Sequence, residues 1–234
     1  DLSVKKMTFF FVNSYVIKAG DKTVLFDCGA ILEPEKLPAF LEEQGVDPKD
    51  IDLIILSHEH FDHMQLLGAW KKLTDAPVLC HKNAEEFLKT STKKNLYVFG
   101  EKALEYQPFM DFMDESFKLP VPQVTPDIVA GDEDYDLHDW GFPGKIIYTP
   151  GHTDSHIALV MDDRTAFTGD TFLDWHTVQP LAEMYPDRTV GLNWIVESPE
   201  KAKESVRRLL EVADTFYGGH GDTYTREEVE SLLD

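Results

Sequence analysis

The sequence predicts an α/β fold, and two patterns carry that prediction. Short apolar runs such as Ile51-Asp52-Leu53-Ile54-Ile55-Leu56 read as buried strands, and between them lie segments with apolar residues at helical spacing. A chain of 234 residues, 42% hydrophobic and 12% aromatic, suits one α/β domain with a sizeable core. Taken in order, Met7 to Ala19 and Lys22 to Asp27 read as a hairpin turning at Gly20-Asp21. Glu35 to Gly45 carries Leu37, Phe40 and Leu41 on one face and stops at a glycine, which marks a helix. The 51–56 run is a strand, Met64 to Leu73 a helix, and Pro77-Val78-Leu79-Cys80 another strand. Asn83 with Glu86 is expected to cap the helix that follows. Strands resume at Ile146 to Thr149, Ile157 to Met161, Thr165 to Thr168 and Thr215 to Tyr217. Ser198-Pro199 opens a helix with Ala202, Val206, Leu209 and Leu210 on one face, and Thr225 with Glu228 makes a capping box for the last one.

The chemistry concentrates at Ser57-His58-Glu59-His60-Phe61-Asp62-His63, directly after the 51–56 strand. Three imidazoles and the Asp62 carboxylate so close together are costly to desolvate, and a cation that takes N and O ligands makes the same cluster favourable. His58 and His60, two apart on an extended segment, project to one side, while Asp62 and His63 lie at the turn into the next element. One ion rarely takes four ligands from so short a segment, so the spacing points to two. Further candidate ligands follow other strands, each beside a glycine: Thr149-Pro150-Gly151-His152-Thr153, Phe167-Thr168-Gly169-Asp170-Thr171 and Tyr217-Gly218-Gly219-His220-Gly221-Asp222.

The ordered set H-x-H-x-D-H, G-H-T, T-G-D and G-G-H-G, with the strand end Phe26-Asp27-Cys28-Gly29 before it, resembles the metallo-β-lactamase-fold hydrolase superfamily over nearly the whole chain. The resemblance implies an αββα sandwich, two mixed β-sheets flanked by helices, with metals at one edge. It implies His58, His60 and His152 on one metal, Asp62, His63 and His220 on a second, and Asp170 bridging them. Such an N/O set suits two divalent ions, Zn foremost, with Fe(II) and Mn(II) compatible. A water between two such ions becomes a hydroxide nucleophile near neutral pH, and Asp62 is placed to take a proton as well as bind metal. Asp62, His58, His60, His63 and Asp170 are thus the catalytic candidates. The expected reaction is hydrolysis of a small ester, thioester or lactone. The alternatives are a small-molecule phosphodiesterase on the same site, or a mononuclear-iron oxidoreductase of the sulfur dioxygenase type. Asp170 stands where the resemblance implies Cys or Ser in true β-lactamases, which turns the reading towards the glyoxalase II and lactonase side.

The net charge of −21 excludes a nucleic-acid or anionic-membrane partner, since phosphate binding needs clustered lysine and arginine. No apolar run reaches the roughly 20 residues that span a bilayer, and cytoplasm is the default compartment. Two inserts, near 91–125 and 172–195, are expected to shape the pocket. The first is rich in aromatics and methionine, including Tyr97, Phe109 and Met113, and suits a pocket wall or a contact between two copies of the chain. The second supplies Trp175, His176 and Tyr185 as further substrate-binding candidates. His156 either supports a ligand from behind or simply begins a strand, and His81 and His138 read as structural.

Overall fold

The computed structural model of the chain describes residues 2–91, 98–116 and 121–233. Two six-stranded sheets dominate them. The first is drawn from the N-terminal half and runs in chain order: β1 (Leu2–Phe9), β2 (Val12–Ala19), β3 (Lys22–Phe26), β4 (Leu53–Ile55), β5 (Val78–His81) and β6 (Ile128–Ala130). The first three are antiparallel, and β3 to β6 are parallel, joined by crossovers that carry the helices Leu37–Gln44, Leu67–Thr74 and Lys82–Thr90. The C-terminal half begins with β7 (Tyr135–Asp136), β8 (Gly144–Tyr148), β9 (Ile157–Met161) and β10 (Thr165–Gly169). Next, β11 (Phe172–Asp174) and β12 (Val190–Leu192) pair as a separate ribbon. Then β13 (Thr215–Gly218) and β14 (Thr223–Thr225) complete the second sheet, whose order is β14-β13-β10-β9-β8-β7.

The side-chain alternation of the strands explains the layering. On β3, Val24 and Phe26 face the other sheet while Leu25 faces the helices; on β4, Leu53 and Ile55 face inward and Ile54 outward. The second sheet mirrors this, with Ile146, Ile157 and Leu159 inside and Ile147, Ala158 and Val160 outside. Three cores result. Tyr15, Phe26, Ile55 and Phe167 lie between the sheets, Trp70, Leu41 and Phe87 pack on the outer face of the first, and Val206, Leu209 and Leu210 cover the outer face of the second. Both sheets are hydrophobic on two faces, so helices must close the outer ones, and the arrangement is the expected αββα sandwich.

Three local expectations are corrected. The run from Met7 to Ala19 is two strands, β1 and β2, joined at Phe10-Phe11, with Phe10 at φ 60°. Two bulky aromatics carry no turn signal, so the break is invisible in the pattern. The expected helix from Met64 to Leu73 is split into Phe61–Met64 and Leu67–Thr74, because the Leu66 amide is donated to the Gly29 carbonyl (3.2 Å) rather than down a continuous helix. The helix Lys82–Thr90 is capped by His81, whose Nδ1 accepts from the Asn83 amide (3.3 Å), while the Asn83 side chain donates to the Asp154 carbonyl. Among the described residues, no helix is long and apolar enough to cross a membrane.

Candidate metal centre

The seven candidate ligands come from four strand ends on one edge of the sandwich. His58 and His60 lie in the segment after β4, and Asp62 and His63 in the first turn of the helix Phe61–Met64; His152, Asp170 and His220 follow β8, β10 and β13. All seven are buried. They fall into two sets, His58 with His60 and His152, and Asp62 with His63, Asp170 and His220; within each set the ligand atoms lie within 4.8 Å of one another. In the first, His152 Nε2 stands 3.1 Å from His58 Nε2 and 2.9 Å from His60 Nδ1. In the second, His63 Nε2 is 3.2 Å from Asp170 Oδ1, and His220 Nε2 is 3.2 Å from Asp170 Oδ2 and 3.4 Å from Asp62 Oδ2. Asp170 Oδ2 is also 3.6 Å from His152 Nε2, so this carboxylate stands between the sets.

Four of the imidazoles are fixed from behind. His152 Nδ1 donates to the Ile195 carbonyl (2.6 Å) and His220 Nδ1 to the Phe11 carbonyl (2.9 Å). His63 Nδ1 donates to Asp27 Oδ2 (2.8 Å). His58 Nδ1 donates to Ser57 Oγ (2.8 Å), which donates in turn to Asp27 Oδ2 (2.8 Å). In the neutral imidazoles each outward nitrogen thus carries the proton and each Nε2 is left to turn its lone pair inward, as metal coordination requires. His63 Nε2 and Asp170 Oδ1 are buried without a hydrogen-bond partner, and such orphaned atoms fit a cation between them. Gly219 leaves the room: a Cβ there would lie 2.3 Å from Asp170 Oδ1 and 2.7 Å from His63 Cε1. The residues therefore fit two divalent ions.

Electrostatics separates the two sets in the metal-free chain. Burial, reinforced by neighbouring imidazoles, holds His58 and His152 well below the usual histidine range. Burial acts the same way on His63 and His220, but the carboxylates override it: Asp170, Asp62 and Asp27 hold His63 well above its usual range, and Asp170 and Asp62 raise His220 to about 10. Asp170 is correspondingly held well below the carboxylate range against its own burial, by His220 and His63.

Several supporting residues carry no local motif. Asn193, beside the β11–β12 ribbon, donates from Nδ2 to Asp170 Oδ2 (3.0 Å) and accepts from the Ile195 amide (2.9 Å). Buried Glu59 turns away from the ligands to accept from Ser155 Oγ, tying the His58–His60 segment to the His152 turn, and burial raises its pKa to about 7. His156 is a support, as one of its two readings had it: its Nε2 accepts from the Asp170 amide (3.0 Å), its Nδ1 donates to Thr149 Oγ1 (2.9 Å), and burial lowers it to about 3. His81 stacks on Tyr148 at 4.4 Å, and exposed His138 sits between Asp136 and Asp162.

His60 of the first set and Asp62, Asp170 and His220 of the second line one cavity, whose other walls are mostly apolar. Phe109 and Met113 are on its wall. Trp175, His176 and Tyr185 are not among its described lining residues. The Trp175 ring lies over Gly191, where a Cβ would meet it at 2.3 Å; its Nε1 donates to the Leu192 carbonyl, and Tyr185 packs on it at 4.7 Å. His176 is exposed on the turn Trp175–Thr177, which Asp174 caps. Tyr97 lies outside the described residues.

Comparison with known proteins gives the family and the fold. A family model described as the metallo-beta-lactamase superfamily matches residues 7–220. The chain is 29% identical over 218 residues to a probable metallo-hydrolase of Methanocaldococcus jannaschii, covering 90% of this chain and 87% of that one. It is 26% identical over 181 residues to an N-acyl homoserine lactonase of Bacillus thuringiensis, covering 77% of this chain and 58% of the relative; coverage of other curated relatives falls to 49% of their length. The crystal structure of an archaeal metallo-beta-lactamase superfamily protein from Sulfolobus tokodaii superposes with a TM-score of 0.64 at 22% identity, covering 99% of this chain and 84% of that one.

Proposed function

Because the chain belongs to the metallo-beta-lactamase superfamily, we propose that it is a hydrolase of small carbonyl esters, thioesters or lactones working with two divalent metal ions, zinc foremost. One observation carries the reading: two buried sets of inward-facing ligand atoms meet at Asp170 and open together onto a cavity with apolar walls. In this reading His58, His60 and His152 hold one ion and Asp62, His63 and His220 the other, with Asp170 shared. Ions so held supply acidification of a water towards neutral pH and polarisation of the carbonyl oxygen.

The chain's own residues do the rest. Asp27, Ser57 and the carbonyls of Phe11 and Ile195 hold the imidazoles in one tautomer and orientation. Asn193 and the accepting nitrogen of His156 fix Asp170 from two sides. Asp62 faces the cavity and can take up the proton that attack by water releases. Phe11, Phe61 and Ile195 keep bulk water from the reacting carbonyl. The net charge of −21 fits a small-molecule substrate rather than nucleic acid.

The test is a panel of an aryl ester, a thioester, a lactone and an aryl phosphodiester, run on protein loaded separately with Zn, Mn and Fe(II), alongside His58→Ala prepared identically. Turnover of a carbonyl ester that His58→Ala lacks is expected. Turnover of the phosphodiester alone, or oxygen consumption with one iron per chain, would overturn the reading.

A further inference from the structure

The cavity beside the ligands is built by both inserts, and they are tied together. Phe99 pairs with Ile195, the Val196 amide donates to the Val98 carbonyl (2.7 Å), and the Gly100 amide donates to the Trp194 carbonyl (3.0 Å). Part of the wall touches the ligand shell: Phe11 stacks on His220 at 5.5 Å, and Ile195 holds His152 through its carbonyl. The rest comes from Phe109 and Met113 on the helix Gln107–Ser116 and from Val178 and Leu181 after β11. This part has a stiff backing. Trp194 packs against Phe109 at 5.5 Å, and Tyr106, Trp175 and Tyr185 pack on Trp194 at 6.1–6.2 Å.

The polar atoms of the cavity are confined to the ligand side. Apart from ligand residues, Asn193 is the only polar side chain among its described lining residues, and its amide is engaged with Asp170 and Ile195. No lysine or arginine is found among those lining residues. A charged group pushed against Phe109, Met113, Val178 and Leu181 would lose its hydration with nothing in exchange.

Resting on the hydrolase reading above, we infer that this cavity takes a neutral substrate with an aliphatic acyl chain, and that Met113 and Leu181 set the chain length it accepts. The carbonyl lies at the ligands and the chain runs between the inserts. Each methylene that the wall covers adds to binding until the backed wall is reached; beyond it the chain has nowhere to go.

The test uses the metal-loaded full chain and two series of p-nitrophenyl esters. One carries straight acyl chains from acetyl to decanoyl, and the other has chains of equal length ending in a carboxylate. For the neutral series kcat/KM is expected to rise about three- to fourfold per methylene up to a break. The carboxylate series should be slower by about 100-fold or more. Met113→Ala should move the break to longer chains and Leu181→Phe to shorter ones, each read as a ratio within its own series. A second measurement needs no turnover: displacement of a neutral naphthylamine dye from the unmodified chain by straight-chain aliphatic amides should tighten with chain length to the same break. Ester turnover with no length dependence, or with carboxylates favoured, overturns the inference and leaves the hydrolase standing. Length-dependent displacement without hydrolysis of any ester supports the inference and overturns the hydrolase. Neither turnover nor displacement overturns both.

Discussion

Asp27 and Gly219 show how much of the metal centre rests on residues that bind nothing. Asp27 accepts from the Ser57 amide and hydroxyl and from His63 Nδ1, so one buried carboxylate orients His63 directly and His58 through Ser57. It sits at φ 60°, a conformation that asparagine tolerates, so Asp27→Asn keeps the backbone while replacing one acceptor oxygen by a donor. Metal affinity should then fall about 10- to 100-fold, read by competition against a chromophoric chelator; unchanged affinity would remove Asp27 from the site. Gly219→Ala is the complementary prediction. Its methyl would stand 2.3 Å from Asp170 Oδ1, inside the second set and away from His58 and His60. Metal analysis should therefore find about one ion per chain rather than two. Two ions retained in this variant would mean that the second set is not where the second ion binds.

The elements hold the ligand turns against one another, and the turn of His152 is the clearest case. Gly151, at φ 141°, packs so closely on the start of the helix Pro199–Val212 that a Cβ would lie 2.3 Å from the Ala202 amide nitrogen. The Ser198 amide donates to the Gly151 carbonyl and the Glu197 amide to the His152 carbonyl, so the helix start and the ligand turn form one joint. Gly151→Ala should destabilise the fold by about 3 kcal/mol or more through overpacking and backbone strain, measured by urea unfolding. Ser198→Ala removes the cap on the Lys201 amide and an exposed contact to Glu200, and should cost about 1 kcal/mol. Equal losses in the two variants would mean that the joint does not depend on close packing. This element was legible in the sequence down to its cap, because Ser-Pro before an apolar face is a local signal; the strands were legible for the same reason, whereas the division into two ligand sets came only from the resemblance that the ordered motifs carry. The residues that escaped are those whose partners are distant in the chain. Asn193 meets Asp170 beside the pairing of β11 with β12, and Trp175 packs over Gly191, where a Cβ would meet its ring. The Phe10-Phe11 turn escaped because two aromatics there read as strand.

At the scale of the whole molecule, the centre is a clamp between the two halves of the chain. Four ligands follow β4 in the first sheet and three follow strands of the second, so ions that bind only the folded chain stabilise the packing of one sheet on the other. At free metal about 100 times the dissociation constant the gain is about 2.7 kcal/mol per ion, or roughly 5–11 °C in Tm for a chain of this size. Acid–base linkage makes that gain depend on pH. In the metal-free chain His63 and His220 have raised pKa values, so their pairing with Asp62 and Asp170 contributes fully below the unfolded histidine value near 6.5 and is lost as pH rises, for His220 through about 10. His58 and His152 have lowered values, so their contribution is present above about 6.5 and lost as pH falls, because the unfolded chain then takes up protons that the folded one refuses. An ion entering the second set must displace the protons of His63 and His220. Below about pH 6.5 it competes with a pairing already at full strength, and at higher pH that competition fades. The Tm lost on chelation should therefore be larger at about pH 8.5 than at about pH 6. Scanning fluorimetry with and without chelator at both values decides it. An equal loss at both would mean that His63 and His220 are neutral in the metal-free chain and that the carboxylates do not hold the second set together.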